Sequence, residues 1–109
     1  MSDEFDVKDR PLYVISVVAR MLEIHPQTLR LYERQGLVHP HRQGNIRMFS
    51  DADIERLRQI LRMKDELGVN LAGIEVILNL LDRIDTLQQE IDRVRATAKR
   101  RLKRISQEW

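Results

Sequence analysis

His25-Pro26-Gln27-Thr28-Leu29-Arg30-Leu31-Tyr32-Glu33-Arg34-Gln35-Gly36 is the stretch on which the fold turns. Pro26 suits a first helical position, where its fixed φ and missing N–H cost nothing. The helix it opens runs to Gln35, and Gly36 closes it in the left-handed region. Working back, Glu23-Ile24-His25 forms a three-residue turn, and Ser16 is the expected N-cap of an earlier helix ending near Leu22. Leu12 to Ile15 leads in as an extended piece. Two helices joined by three residues within about twenty is the spacing of a helix-turn-helix.

Working forward, His39-Pro40-His41 and Gln43-Gly44-Asn45 are turn-formers, and Ile46-Arg47-Met48-Phe49 alternates as a short strand does. A β-hairpin with Arg42 and Arg47 near its tip follows. Ser50 with Asp53 three residues on resembles a capping box, opening a helix whose apolar positions include Ile54, Leu57, Ile60 and Leu61 and which ends at Gly68. Asn70 caps a further short helix with Leu71, Ile74, Ile77 and Leu78 on its apolar face. The period then becomes seven. Ile77, Ile84, Ile91, Ala98 and Ile105 form one series, and Leu80, Leu87 and Val94 the interleaved one, which Arg101 breaks. Isoleucine alternating with Leu or Val at these spacings is a coiled-coil seam, too long for a small domain to cover.

Three units follow: a flexible arm at 1–10, a winged helix-turn-helix domain at 11–79, and a dimerisation helix with a basic tail at 80–109. The fold class is mainly α. The arm is acidic on balance, with Asp3, Glu4, Asp6 and Asp9 against Lys8 and Arg10. The tail carries Arg95, Lys99, Arg100, Arg101, Lys103 and Arg104. A net charge of +2 is too small to imply nucleic acid by itself. With no cysteine among 109 residues, disulfides, thiolate zinc sites and cysteine nucleophiles are excluded. No apolar run has the length of a membrane span or a signal peptide, so a cytoplasmic, nucleoid-bound location is expected.

Thr28-Leu29-Arg30-Leu31-Tyr32-Glu33-Arg34-Gln35-Gly36-Leu37 resembles the recognition helix of the MerR family of regulators, with the pattern Thr-Leu-Arg-x-Tyr-Glu-x-x-Gly-Leu. The opening His25-Pro26-Gln27, together with Tyr13 to Val17 and Gly68 to Ile74, is similar to the HspR-like heat-shock repressor branch. Gly44 to Ser50 resembles the family wing. The resemblance covers about residues 11 to 94, at four places in order. It implies an antiparallel pair of long helices, an inverted-repeat operator in double-stranded DNA, and the chaperone DnaK as co-repressor. Glu23 stands where many members have glycine, which implies a backbone there that suits a residue with a Cβ. Leu31 replaces a second tyrosine, removing one phosphate contact. Sensor members carry cysteines or a further domain beyond the long helix, and neither follows in this sequence; no cofactor and no enzyme activity are expected.

A recognition helix presents its N-terminal residues to base edges in the major groove. Here these are His25, Gln27, Thr28 and, a turn later, Leu31, with Gln27 best suited to adenine because an amide pairs with N6 and N7 together. Arg30 and Tyr32 are expected phosphate anchors, the arginine by its permanent charge and planar fork, with a half-buried packing role as the alternative for Tyr32. Arg42, Asn45 and Arg47 of the wing are placed to grip the flanking backbone or the minor groove, and Arg20 and Lys64 could extend the footprint. The dimer seam is Ile84, Leu87, Ile91, Val94, Ala98 and Ile105. His25, His39 and His41 lack the companions of a zinc site. Two other readings stay open: a MerR-type activator that untwists promoter DNA, and a helical adaptor whose basic tail binds acidic partners or membrane lipid.

Overall fold

The computed structural model describes residues 6–108. The acidic residues Asp3 and Glu4 of the expected arm lie outside the described residues. Val7–Asp9 takes a single 3-10 turn. The elements then run β1 (Tyr13–Val14), α1 (Ile15–Leu22), α2 (Pro26–Arg34), β2 (His41–Gln43), β3 (Ile46–Phe49), α3 (Asp51–Asp65) and α4 (Leu71–Glu108). This is a winged helix-turn-helix followed by a long helix. The chain divides into two compact units, one ending at Ile74 and the other beginning at Glu75.

In the first unit the core is built from Val18 and Ala19 of α1, Leu29 and Tyr32 of α2, Leu37, Val38 and Phe49, and Ile54, Leu57, Ile60 and Met63 of α3. Burying such side chains contributes about 1.5–3 kcal/mol each, and every helix turns one stripe inward to do so. The extended lead-in does more than enter the fold. Tyr13 and Val14 pair antiparallel with Phe49 and Met48, so the hairpin becomes a three-stranded sheet in the order β1-β3-β2. Because this pairing fixes the chain at Val14, α1 begins at Ile15, and Ser16 is an exposed residue inside it. The expected serine cap is therefore corrected: Val14 occupies the N-cap position without a side-chain bond.

The hairpin turn is Gly44-Asn45, with Gly44 at φ 64° and Asn45 in the ordinary negative range. Glycine first and a normal residue second is the pattern of a primed two-residue turn, whose twist matches that of paired strands. Ser50 then caps α3 through a full capping box: its Oγ accepts from the Asp53 N–H at 3.1 Å, and its own N–H donates to Asp53 Oδ2 at 2.9 Å. The helix stops at Asp65, earlier than its glycine, and Gly68 (φ 64°) turns the chain. Asn70 Oδ1 accepts from the Gly73 N–H at 2.8 Å, capping α4 as expected.

The second unit is helix alone. No break separates a short helix from a coiled-coil helix; α4 is continuous for 38 residues, about 57 Å at 1.5 Å per residue. Its heptad side chains are bare: Ile84 is 61% exposed, Leu87 46%, Ile91 44%, Val94 57% and Ile105 52%, and Ala98 is exposed too.

Candidate nucleic-acid interface

Leu29 and Tyr32 point α2's inner stripe into the core. At 100° per residue the opposite stripe is Gln27, Arg30, Leu31 and Arg34. Gln27 and Arg34 are exposed, Arg30 and Leu31 partly so. Arg34 was left out of the sequence reading, yet it lies seven residues after Gln27 on the same face, a spacing that was there to be read. Thr28 is partly exposed on the flank.

Tyr32 takes the packing role that was the alternative to a phosphate contact. At 3% exposure its ring is a core side chain rather than a phenol held out to a phosphate. The reason is its position: it lies three residues after Leu29, on the inner stripe. Burial raises its hydroxyl pKa above the usual 10.0, with the carboxylate of Asp65 adding to the shift.

His25 has a local duty as well as an exposed position. It is the N-cap of α2, and its Nδ1 accepts from the Gln27 N–H at 3.0 Å. Thr28 N–H donates to the His25 carbonyl at 2.9 Å, and Pro26 has no N–H to give. The first-turn donors of α2 are thus committed within the chain, and phosphate capture by this helix end falls to side chains. An accepting Nδ1 leaves Nε2–H of His25 as the outward donor.

The turn between the helices is held by Ile24 N–H donating to the Ala19 carbonyl at 3.0 Å. Glu23 sits there at φ 56°, ψ 44°. The expected ordinary backbone is corrected: this is the left-handed region that glycine favours, and glutamate occupies it under strain.

The wing sets the two arginines expected at the hairpin against a carboxylate of the recognition helix. Arg42 and Arg47 are directly opposite one another on β2 and β3. Glu33 of α2 reaches between them. Arg42 Nη2 donates to Glu33 Oε1 at 3.1 Å, and Arg47 Nε donates to Glu33 Oε2. The two partners of Glu33 are nine and fourteen residues away, a distance at which sequence pattern carries no signal. Asn45 is exposed at the tip beside Gly44. Arg20 and Lys64 are exposed in the last turns of α1 and α3. Among the described residues, neither they nor Arg30 make an ion pair or side-chain hydrogen bond.

Arg56 of α3 donates through Nε to the Leu37 carbonyl at 2.6 Å, pinning the chain just after α2. Among the described residues, no three His, Asp or Glu side chains gather as a metal-binding group, and no helix is long and apolar enough to cross a membrane.

Residues 13–96, from β1 through most of α4, match the family model described as MerR HTH family regulatory protein. The chain belongs to the MerR family. Within it, the chain is 49% identical over 82 residues to the heat shock protein HspR of Streptomyces coelicolor, covering 74% of this chain and 54% of that protein. It is 43% identical over 70 residues to the transcriptional regulator MlrA of Escherichia coli, covering 62% of this chain and 28% of that one. With ZntR of Escherichia coli it shares 30% identity over 96 residues, 86% of this chain and 66% of the other. The chain thus spans about half the length of the HspR it resembles. As a MerR-family chain it carries the DNA-binding domain of a transcriptional regulator, and the face built from α2 and the wing is its candidate DNA surface.

Proposed function

We propose that this chain represses heat-shock or chaperone genes by binding an inverted-repeat operator as a homodimer in the bacterial cytoplasm, with DnaK as co-repressor. The observation that carries the reading is the 49% identity to HspR. An alignment of 82 residues in a chain of 109 must take in the hairpin and the C-terminal part of the recognition helix, so the likeness extends to the wing and to the helix that precedes it.

In this reading Gln27 pairs with a base, Thr28 and His25 contact the groove beside it, and Arg30, Arg42, Asn45 and Arg47 hold phosphates. Arg20, Arg34 and Lys64 supply peripheral charge. The bare stripe from Ile84 to Ile105 supports the dimer, since large exposed apolar runs mark association surfaces. Charge supports an antiparallel pairing. Between 75 and 92, α4 carries Glu75, Asp82, Asp85, Glu90 and Asp92 against Arg83; between 93 and 108 it carries Arg93, Arg95, Lys99, Arg100, Arg101, Lys103 and Arg104 against Glu108. An antiparallel partner lays the acidic half over the basic half; a parallel one opposes like charges. Two-fold symmetry then requires an inverted repeat.

The test is selection of bound sites from random duplex DNA, followed by titration of the recovered site over a range of salt. The expected motif is an inverted repeat that occurs upstream of chaperone genes. With Arg30, Arg42 and Arg47 of both subunits on phosphates, log affinity should fall against log salt with a slope of roughly −5, from about −0.9 per contact. Added DnaK should tighten or prolong the complex. Recovery of a direct repeat, or a flat salt response, would overturn the assignment.

A further inference from the structure

We propose that Glu33 is a specificity-determining residue: it restrains the wing arginines so that they engage phosphate only where the recognition helix fits its bases. The inference rests on the DNA-binding reading and deepens it.

Arg42 and Arg47 are cross-strand partners, and opposed side chains share a face of the hairpin, where like charges repel. Glu33 resolves the conflict with one carboxylate oxygen for each guanidinium. Its side chain is 17% exposed, whereas that of Arg42 is 54% exposed and that of Arg47 27%. The carboxylate therefore lies beneath the arginines, and each guanidinium keeps further N–H donors for an outside acceptor. Because Glu33 belongs to α2, the pair is tied to the helix that carries Gln27, one and a half turns earlier.

Two consequences follow. The wing takes its position from the recognition helix, so a misplaced helix misplaces the phosphate contacts. The trio also carries one net positive charge instead of two, which holds down attraction to DNA of any sequence. A residue that only stabilised the hairpin would act differently: its loss would weaken binding to every duplex.

The experiment compares the full chain with Glu33→Gln and Glu33→Asp. The probes are a duplex recovered by selection and a 30-base-pair duplex of scrambled sequence, titrated by fluorescence anisotropy at several salt concentrations. Glu33→Gln should bind the scrambled duplex at least threefold more tightly than the parent, with a steeper salt slope, and its ratio of selected to scrambled affinity should fall about tenfold. Glu33→Asp keeps the charge but is one methylene too short to span both strands; its scrambled-duplex affinity should stay near the parent's while the ratio still falls. A folded Glu33→Gln protein that binds scrambled DNA no better than the parent overturns the inference. Should that variant lose its melting transition, a parental ratio in Glu33→Asp overturns it instead. A parent that binds neither duplex overturns the DNA-binding reading together with this one, whereas a binding parent with unaltered variants overturns this one alone.

Discussion

Glu23 shows what a single backbone angle costs. At φ 56° its Cβ crowds the following carbonyl, a penalty of about 1–2 kcal/mol that glycine avoids. Glycine also loosens the unfolded chain, which returns roughly 0.4–1 kcal/mol of that gain. Glu23→Gly should therefore stabilise the fold by about 0.5–1 kcal/mol, and thermal melting should show a rise of a few degrees; an unchanged or lower midpoint would contradict the strain. The two tyrosines give a second residue-level effect. Tyr13 donates to Asp51 Oδ1 at 2.9 Å, and that hydrogen bond, with the carboxylate's charge, raises its pKa above 10.0. Tyr32 is raised chiefly by burial. A folded-state pKa above the unfolded value gives stability that is fully present below pH 10.0 and is lost as pH climbs through the folded value. Melting temperature should thus fall as pH rises above 10.0, and Tyr13→Phe with Tyr32→Phe together should flatten that part of the profile. An identical alkaline fall in the double variant would remove both assignments. Glu23's angle was not legible beforehand, because a glutamate gives no sign of positive φ; Tyr32's burial was legible only as one of two readings, because a motif tyrosine serves equally as contact or core.

Among the elements, the ones found from sequence are those with local determinants. Pro26 and Gly36 bracket α2, Ser50 and Asp53 open α3, and Gly44-Asn45 turns the hairpin, each acting within a few residues of chain. What escaped was non-local. The pairing of Tyr13 with Phe49 joins positions 36 residues apart, and it moved the start of α1 by imposing an extended Val14. Glu33's clasp on the wing is of the same kind. The capping box also does a job beyond α3, for it fixes the chain where β3 leaves the sheet at Phe49. Ser50 is only 6% exposed and has reciprocal bonds, whereas Asn70 is exposed and accepts one. Ser50→Ala should therefore cost about 1–2 kcal/mol and Asn70→Ala nearer 0.5 kcal/mol, within the span seen for lost caps. Urea unfolding of the two variants measures this order directly, and the reverse order would refute the part given to the box.

For the whole molecule the decisive quantity is apolar area with nothing to cover it. Ile84, Leu87, Ile91, Val94 and Ile105 are all more than two-fifths exposed in the single chain, and the heptad that reveals them was plain in the sequence. Ile91→Asp would place a carboxylate at the middle of the proposed seam, where pairing would have to bury it. The variant should sediment as a monomer, retain the helical signal of the winged unit, and lose operator affinity by orders of magnitude because two half-sites are no longer linked. A monomer that binds the full operator like the parent would refute the two-site mechanism; a persistent dimer would refute the position of the seam.

The sheet also ends in an open strand. β2 is one of its two edge strands, and all three of its residues are exposed. Such an edge invites another chain to add on and begin an aggregate. Here it is only three residues long, it follows Pro40, and its central residue is Arg42, three features that discourage strand addition. The charge proposed to face phosphate thus also keeps the wing from sticking to its own kind, and a chain that surrendered Arg42 would surrender some of its solubility as well.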